Sequence, residues 1–339
     1  MMRRRSRLFL RVLLAVFVLT VVATASFLLL LSRPIDLSNS ESAQIRRGSS
    51  IVAAVNAIHA QCPLPTPRLV SVTARAIARI SGSTVQRGWY RFKAGDTQLD
   101  VLMALFGSHR RPTIRVTIPE GRTYAEIAGI LSRTIEVDSA AFVAWCERDS
   151  VCRTYSVDGP SMEGYLMPDT YAFYWRDEVA IVGDRLATEF RRRWQQHCEH
   201  LLSATTRTKH EIISLASIVQ AEAARIDEMP RIAGVYVNRL ERNMRLEADP
   251  TVQYGRGARQ RVLYKHLSDD SPYNTYRRTG LPPGPICSPG LDALKAALQP
   301  EEHAYLFFVA RGDGSGLHYF ARDGIGHVAN VRRYRSTRQ

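Results

Sequence analysis

Residues 212–223 read IISLASIVQAEA, and helical spacing sets Glu222 on the same face as Leu215, Ile218 and Val219. That face turns toward a core, where a carboxylate is costly unless it is paired or functional. Partial burial raises a glutamate's pKa and keeps it protonated near neutral pH, which is what a general acid needs. The alternative is a structural glutamate bonded to an arginine, with Arg225, Arg231 and Arg239 as candidates. Downstream, Asp249-Pro250-Thr251-Val252-Gln253-Tyr254 reads as an N-cap, a proline at the first helical position and a turn of helix. Asp249 is therefore expected as a cap rather than as a second catalytic acid. Ser271-Pro272-Tyr273-Asn274-Thr275-Tyr276 and Gly280-Leu281-Pro282-Pro283-Gly284-Pro285-Ile286 make a stiff loop with exposed rings and amides. Surfaces of this kind hold sugars, with rings against the apolar sugar faces and amides on the hydroxyls. His197-Cys198-Glu199-His200 carries metal-ligand types, but its spacing matches no zinc signature. It reads as a solvated helix end beside Arg191, Arg192 and Arg193, and no metal is expected.

The elements that must position these residues alternate between short strands and helices. Periodicity predicts helices over 49–60, 70–80, 98–106 and 124–131, with Thr123 an N-cap. Further helices are expected over 140–147, 179–200, 209–224 and 230–243. Strands are expected over 88–92, 113–118, 304–310 and 317–321, and 34–42 reads as a polar linker. The strand–turn–helix around Pro119-Glu120-Gly121 is the expected hinge between a small region and a larger one. Residues 248–290 are rich in Pro, Gly, Asn, Asp and Tyr. A loop that long in a compact domain is functional or disordered, and its low charge and aromatic content argue for order.

The first eleven residues hold Arg3, Arg4, Arg5, Arg7 and Arg11 without an acid, and 12–32 is uncharged and apolar. About 20 apolar residues suffice to cross the hydrocarbon core, and the arginines belong on the cytoplasmic side. A single uncleaved anchor is expected; the rival is a signal peptide cut after Ala23-Thr24-Ala25. Either way the body of the chain is exported. The net charge is +14, and without the five terminal arginines the rest is still strongly basic. Outside a membrane, anionic head groups or an acidic polymer are better partners than nucleic acid; a solvated basic surface is the plainer reading. Five cysteines, Cys62, Cys146, Cys152, Cys198 and Cys287, are too few for a disulfide scaffold. Cys146 and Cys152 could pair, or all could be buried thiols.

Taken in order, Glu163-Gly164-Tyr165-Leu166-Met167-Pro168-Asp169-Thr170-Tyr171, Ala216-Ser217-Ile218-Val219-Gln220-Ala221-Glu222, Val237-Asn238-Arg239-Leu240, Asp249-Pro250-Thr251, Tyr273-Asn274-Thr275-Tyr276 and Gly280-Leu281-Pro282-Pro283-Gly284 resemble the endolytic murein transglycosylase, or YceG-like, family. His318, Phe320 and His327 fit the same pattern, and the region before Pro119 resembles, more weakly, a LysM-like module. The resemblance implies an α+β chain: a cytoplasmic tail (1–11), a transmembrane anchor (12–32), a linker and small LysM-like module (33–118) and a larger mixed α/β catalytic domain (119–339). It implies lytic cleavage of the β-1,4 bond between N-acetylmuramic acid and N-acetylglucosamine at a cell inner membrane, without a cofactor. Glycan strands are the implied partner, and peptidoglycan synthases a further candidate. Glu222 takes the catalytic role, because Gln220 stands where many members have a second acid. Asn274, Tyr276, Tyr254 and Thr251 are expected either to line the sugar cleft or to brace its loop. Glu163 and Asp169 are expected to support the cleft by hydrogen bonds or to be purely structural. A water-using muramidase with Asp249 as base, and a non-catalytic wall-binding scaffold, stay open as alternatives.

Overall fold

The computed structural model describes residues 2–46, 48–107, 111, 113–257 and 260–337, and only the backbone for 2–9. The side chains of Arg3, Arg4, Arg5 and Arg7 therefore lie outside what is described. The chain divides into two units, Met1–Ile114 with Tyr174–Asp177, and Arg115–Phe173 with Glu178–Gln339.

Helix α1 (Met2–Leu31) opens the first unit. Its segment Leu10–Leu31 is long and apolar enough to cross a membrane, with Leu, Val and Phe side chains facing outward. Behind it come β1 (Ser42–Ile45), α2 (Ile51–Gln61), α3 (Pro67–Ser81), β2 (Gly88–Arg91) and α4 (Gln98–Phe106). Strands β1 and β2 are antiparallel, Ser42 opposite Arg91 and Ile45 opposite Gly88. α4 begins in a reciprocal cap: Thr97 accepts the Asp100 amide while Asp100 accepts the Thr97 amide.

The polar stretch 34–42 is not a free linker. Leu31 and Ile35 belong to the core of this unit, with Tyr90, Phe92 and Leu102. The Ile35 amide donates to the Asp96 carbonyl at 2.9 Å. Gln98, whose side chain is fully buried, donates to the Leu30 carbonyl at 2.8 Å and accepts the Thr66 amide at 2.7 Å. A buried amide satisfied on both ends fixes the end of the apolar helix into the unit.

The second unit is mixed α and β. Strand β3 (Thr113–Thr117) pairs with β4 (Thr170–Tyr174), and the boundary between the units falls in these strands. Helices α5 (Tyr124–Ile135), α6 (Ser139–Cys146), α7 (Asp149–Thr154) and α8 (Val179–His197) follow the chain, with α6 packed on α5 and α8. At Gly183 of α8 the Trp145 ring comes so near that a β-carbon would meet it at 2.6 Å. A short α9 (Glu199–Leu202) leads to α10 (Lys209–Glu222), α11 (Met229–Glu241), α12 (Asp249–Gly255) and α13 (Leu291–Leu298). α13 packs against both α10 and α11. The antiparallel pair β5 (Phe307–Ala310) and β6 (His318–Ala321), in register Phe308 with Phe320, is packed by α14 (Gly324–Ser336).

The five cysteines are unbridged and buried, and the Cys152 thiol donates to the Cys146 carbonyl. Glu199 accepts from Trp194 Nε1 and Cys198 is fully buried, so the His197–His200 run is tied down as a helix junction. Among the described residues no three His, Cys, Asp or Glu come together as metal ligands.

Candidate active site

The site is built on the C-terminal end of α10. The helix starts in a reciprocal cap between Thr208 and Glu211, whose carboxylate accepts the Thr208 amide at 2.7 Å. Residues Ile212 to Val219 are buried without a break. The two serines in this run are satisfied: Ser214 donates to the His210 carbonyl and Ser217 to the Ser214 carbonyl. Ser217 also accepts the Ile286 amide at 3.0 Å, Cys287 Sγ donates to the Ser217 carbonyl at 3.3 Å, and Gln220 Oε1 accepts the Gly290 amide at 2.9 Å. These bonds fasten the proline-rich loop along α10. Gln220 thereby acts as a loop tie.

Glu222 is the last helical residue, because Ala223 turns to extended backbone. Its carboxylate is partly buried in the wall of a hollow of about 450 Å³. Tyr236, fully buried on α11 and edge-on to Phe308, donates its hydroxyl to Glu222 Oε1 at 3.2 Å. Burial pushes the Glu222 carboxyl up to about 7; the Tyr236 hydrogen bond holds it down and the charge of Asp249 raises it further. The three candidate arginine partners are engaged elsewhere. Arg225 pairs with Asp227 at 2.9 Å, Arg231 with Glu301 at 2.9 Å, and Arg239 donates to the Leu306, Arg245 and Leu246 carbonyls. No described cation is paired with Glu222.

Asp249 and Tyr276 line the same hollow, with the Tyr276 hydroxyl donating to Asp249 Oδ1 at 2.7 Å. The expected cap at Asp249 is corrected here. α12 already includes Asp249, Ala248 is its N-cap, and the carboxylate faces a tyrosine instead of backbone amides. The wall also includes Arg239, Glu247, Phe307, Phe308 and the two histidines His318 and His327. His318 is held by Glu228, whose Oε2 lies 2.8 Å from Nδ1 and whose carboxylate also accepts the His318 amide. This buried pair pins β6 to the start of α11.

A profile described as "YceG-like family" matches residues 43–333. The chain belongs to the YceG-like family. Of its YceG-like relatives, an endolytic murein transglycosylase of Bacillus subtilis (strain 168) is 30% identical over 250 residues, covering 68% of this chain and 69% of that protein. An endolytic murein transglycosylase of Streptococcus pneumoniae (strain D39) is 28% identical over 244 residues, 64% of this chain and 44% of that one. The match thus spans less than half of the streptococcal protein. A crystal structure of a yceG-like protein from Listeria monocytogenes aligns with TM-score 0.59 and 26% identity, over 85% of this chain and 98% of that chain.

Within this YceG-like chain the other sequence-predicted residues separate. Asn274 and Thr251 are fully buried, and the bonds they make brace the loop. Asn274 donates to the Leu267 and Asp269 carbonyls, and Thr251 bonds the Ala248 carbonyl and Thr275. Asp169 pairs with Arg193 at 2.9 Å and is not among the residues lining the Glu222 hollow. Glu163 and Tyr254 sit together in a second hollow, of about 830 Å³, with Gln220 and Pro250. Tyr236 was not foreseen at all: a tyrosine on the apolar face of a helix looks like core, and only its partner reveals a role.

Proposed function

We propose that this chain is a lytic transglycosylase of peptidoglycan, cutting the MurNAc-β-1,4-GlcNAc bond within glycan strands with Glu222 as its acid and base. One observation carries the assignment: a carboxyl with a pKa near 7, opening on a sugar-sized hollow, whose hydrogen-bond partner is a phenol and not a cation. The naming of its relatives as endolytic murein transglycosylases supports the same substrate. Protonated Glu222 gives its proton to the glycosidic oxygen as the C1–O bond breaks. The muramic 6-hydroxyl attacks C1, and the Glu222 carboxylate takes that hydroxyl's proton. A 1,6-anhydro ring forms, no water is consumed and Glu222 is regenerated. Two-carboxylate glycosidases need the second acid to activate water or to attack carbon; an internal hydroxyl with high effective concentration removes that need. Asp249 then serves to raise the Glu222 pKa and to hold Tyr276.

Asp249 is also an exposed carboxylate on the same hollow, which keeps a hydrolytic muramidase as the second reading, with Asp249 activating water. Under either reading α1 holds the chain in the inner membrane with its N-terminus cytoplasmic and the second unit outside, beside the synthases that extend new strands. Digestion of purified wall glycan, followed by mass analysis of the ends, tests the proposal. Anhydro ends are expected, each lighter by one water than a reducing end. Glu222→Gln is expected to lose at least about a hundredfold in rate. Reducing ends would replace the first reading with the second, and intact glycan would overturn both.

A further inference from the structure

The larger hollow borders the first one along the chain: Gln220, Ala221 and Pro250 line it, next to Glu222 and Asp249 of the other. Glu163 lies in its wall, only 3% exposed. It is fixed there by Gly164, which takes a φ of 80° and presses so close to Pro285 that a β-carbon would meet that ring at 2.5 Å. Glu163 Oε1 accepts the Tyr124 amide at 3.2 Å, while Oε2 is buried with no partner at hydrogen-bond geometry among the described residues.

A buried carboxylate with no cation is costly and takes up a proton instead. Burial pushes Glu163 up to about 8, with Glu126 adding to the rise and the Tyr124 and Gly164 amides and the Tyr254 phenol opposing it. Since Oε1 already accepts an amide, the proton falls to Oε2, the unpartnered oxygen of a side chain that lines the hollow. The groups around it decide which acceptor fits. Glu120 and Glu126 repel an anion, and the Arg122 guanidinium is bonded to Glu126 at 3.1 Å. Burial pushes the neighbouring Tyr124, Tyr254, Tyr273 and Cys146 up, so they are uncharged at neutral pH. An ammonium is a donor only and has no lone pair to accept the Glu163 proton. The unmet donor calls for an uncharged carbonyl, and the apolar contact of Pro250, Ala221 and Ile286 suits a methyl group beside it.

We propose that this hollow is a subsite for an acetamido sugar of the same strand that Glu222 cuts, with Glu163 Oε2–H donating to the N-acetyl carbonyl. The inference rests on the glycan-cutting reading above, and it makes Glu163 a binding group that does no chemistry. The probe is chitotetraose, titrated calorimetrically into the full-length detergent-solubilised chain carrying Glu222→Gln, from pH 6 to pH 9.5. Affinity is expected to hold to pH 7 and then to fall about tenfold as Glu163 ionises, the size of losing one buried hydrogen bond. Adding Glu163→Gln, which keeps a donor but cannot ionise, is expected to abolish that fall. Adding Glu163→Ala is expected to weaken binding about tenfold at pH 6 and to leave it flat with pH. A fall that persists in Glu163→Gln would assign it to another group and overturn the subsite, as would an Ala variant that binds like its parent, or no binding by any form. Wall glycan left intact by the wild-type chain would instead sink the enzymatic reading, so the two failures are told apart.

Discussion

Two neighbours push the Glu222 carboxyl in opposite directions, and under the proposed role the balance sets the pH range in which it can act. The Tyr236 hydroxyl stabilises the charged form and Asp249 destabilises it, both against the larger effect of burial. A general acid must start protonated, so the rate is expected to fall as pH rises through about 7. Tyr236→Phe removes the bond that lowers the pKa, so the alkaline limb of kcat/KM should move to higher pH. Asp249→Asn removes the charge that raises it, so the limb should move to lower pH, each by up to about one unit. Opposite movements in the two pH–rate profiles are the check; movement in one direction for both would mean that the limb belongs to another group. Glu222 itself was legible in the sequence because a carboxylate on an apolar helical face violates the pattern around it. Its partners were not. Tyr236 obeys the pattern, and Asp249 imitates a cap in sequence that its side chain does not make.

Helices with strong ends were legible, and elements whose stability comes from their neighbours were not. Residues 98–106 were expected as a helix and form one from Gln98 to Phe106, because the Thr97 and Asp100 cap states the start and Gly107 the end. Thr123 caps α5 as foreseen, with Glu126 completing the reciprocal bond. By contrast β1 has four residues and was hidden in a polar run; only the pairing of Ala43 and Ile45 with β2 makes it a strand. β4 went unseen inside the motif around Asp169. α13 stands directly behind a proline-rich loop and went unseen, and α14 carries Gly324 and Gly326 in its first turn and is held by β5 and β6. The α10 cap matters most for the site, because it carries the helix that ends in Glu222. Thr208→Ala leaves the Glu211 amide without its acceptor and should cost about 1 kcal/mol. Urea unfolding is the measurement, with kcat retained within about twofold because the cap lies at the far end of α10 from Glu222. A cap substitution that abolished activity in a chain still folded would show that α10 positions Glu222 only marginally.

At the scale of the whole chain, composition foresaw an apolar N-terminal helix followed by a small region and a larger one, and placed a short polar linker after the helix. The linker failed because side-chain burial is invisible in a short polar stretch: Ile35 is one apolar residue among polar neighbours, yet it reaches the core. Gln98 was equally opaque, an ordinary first-turn residue by sequence and a fully buried tie to Leu30 and Thr66 in the fold. The apolar helix is therefore both long and apolar enough to cross a membrane and, at its last residues, part of the first unit. A soluble form beginning at Arg33 removes Leu31, only 2% exposed, and the Leu30 carbonyl that Gln98 bonds. Removing a buried leucine costs about 2–5 kcal/mol, so calorimetry should find the first unit melting well below its temperature in the full chain. A form beginning at Phe27 keeps Leu31 and the Leu30 carbonyl and should recover most of that loss. Equal melting of the two forms would mean that the helix end adds nothing to the unit. Exporting the Phe27 form separates anchoring from folding, since its first unit is intact and its membrane segment is gone. If the anchor confines cutting to strands near their point of synthesis, cells carrying only this form should make longer glycan strands, measured by chromatography of the released glycan. Strands of unchanged length would leave the helix with no part in where the strand is cut.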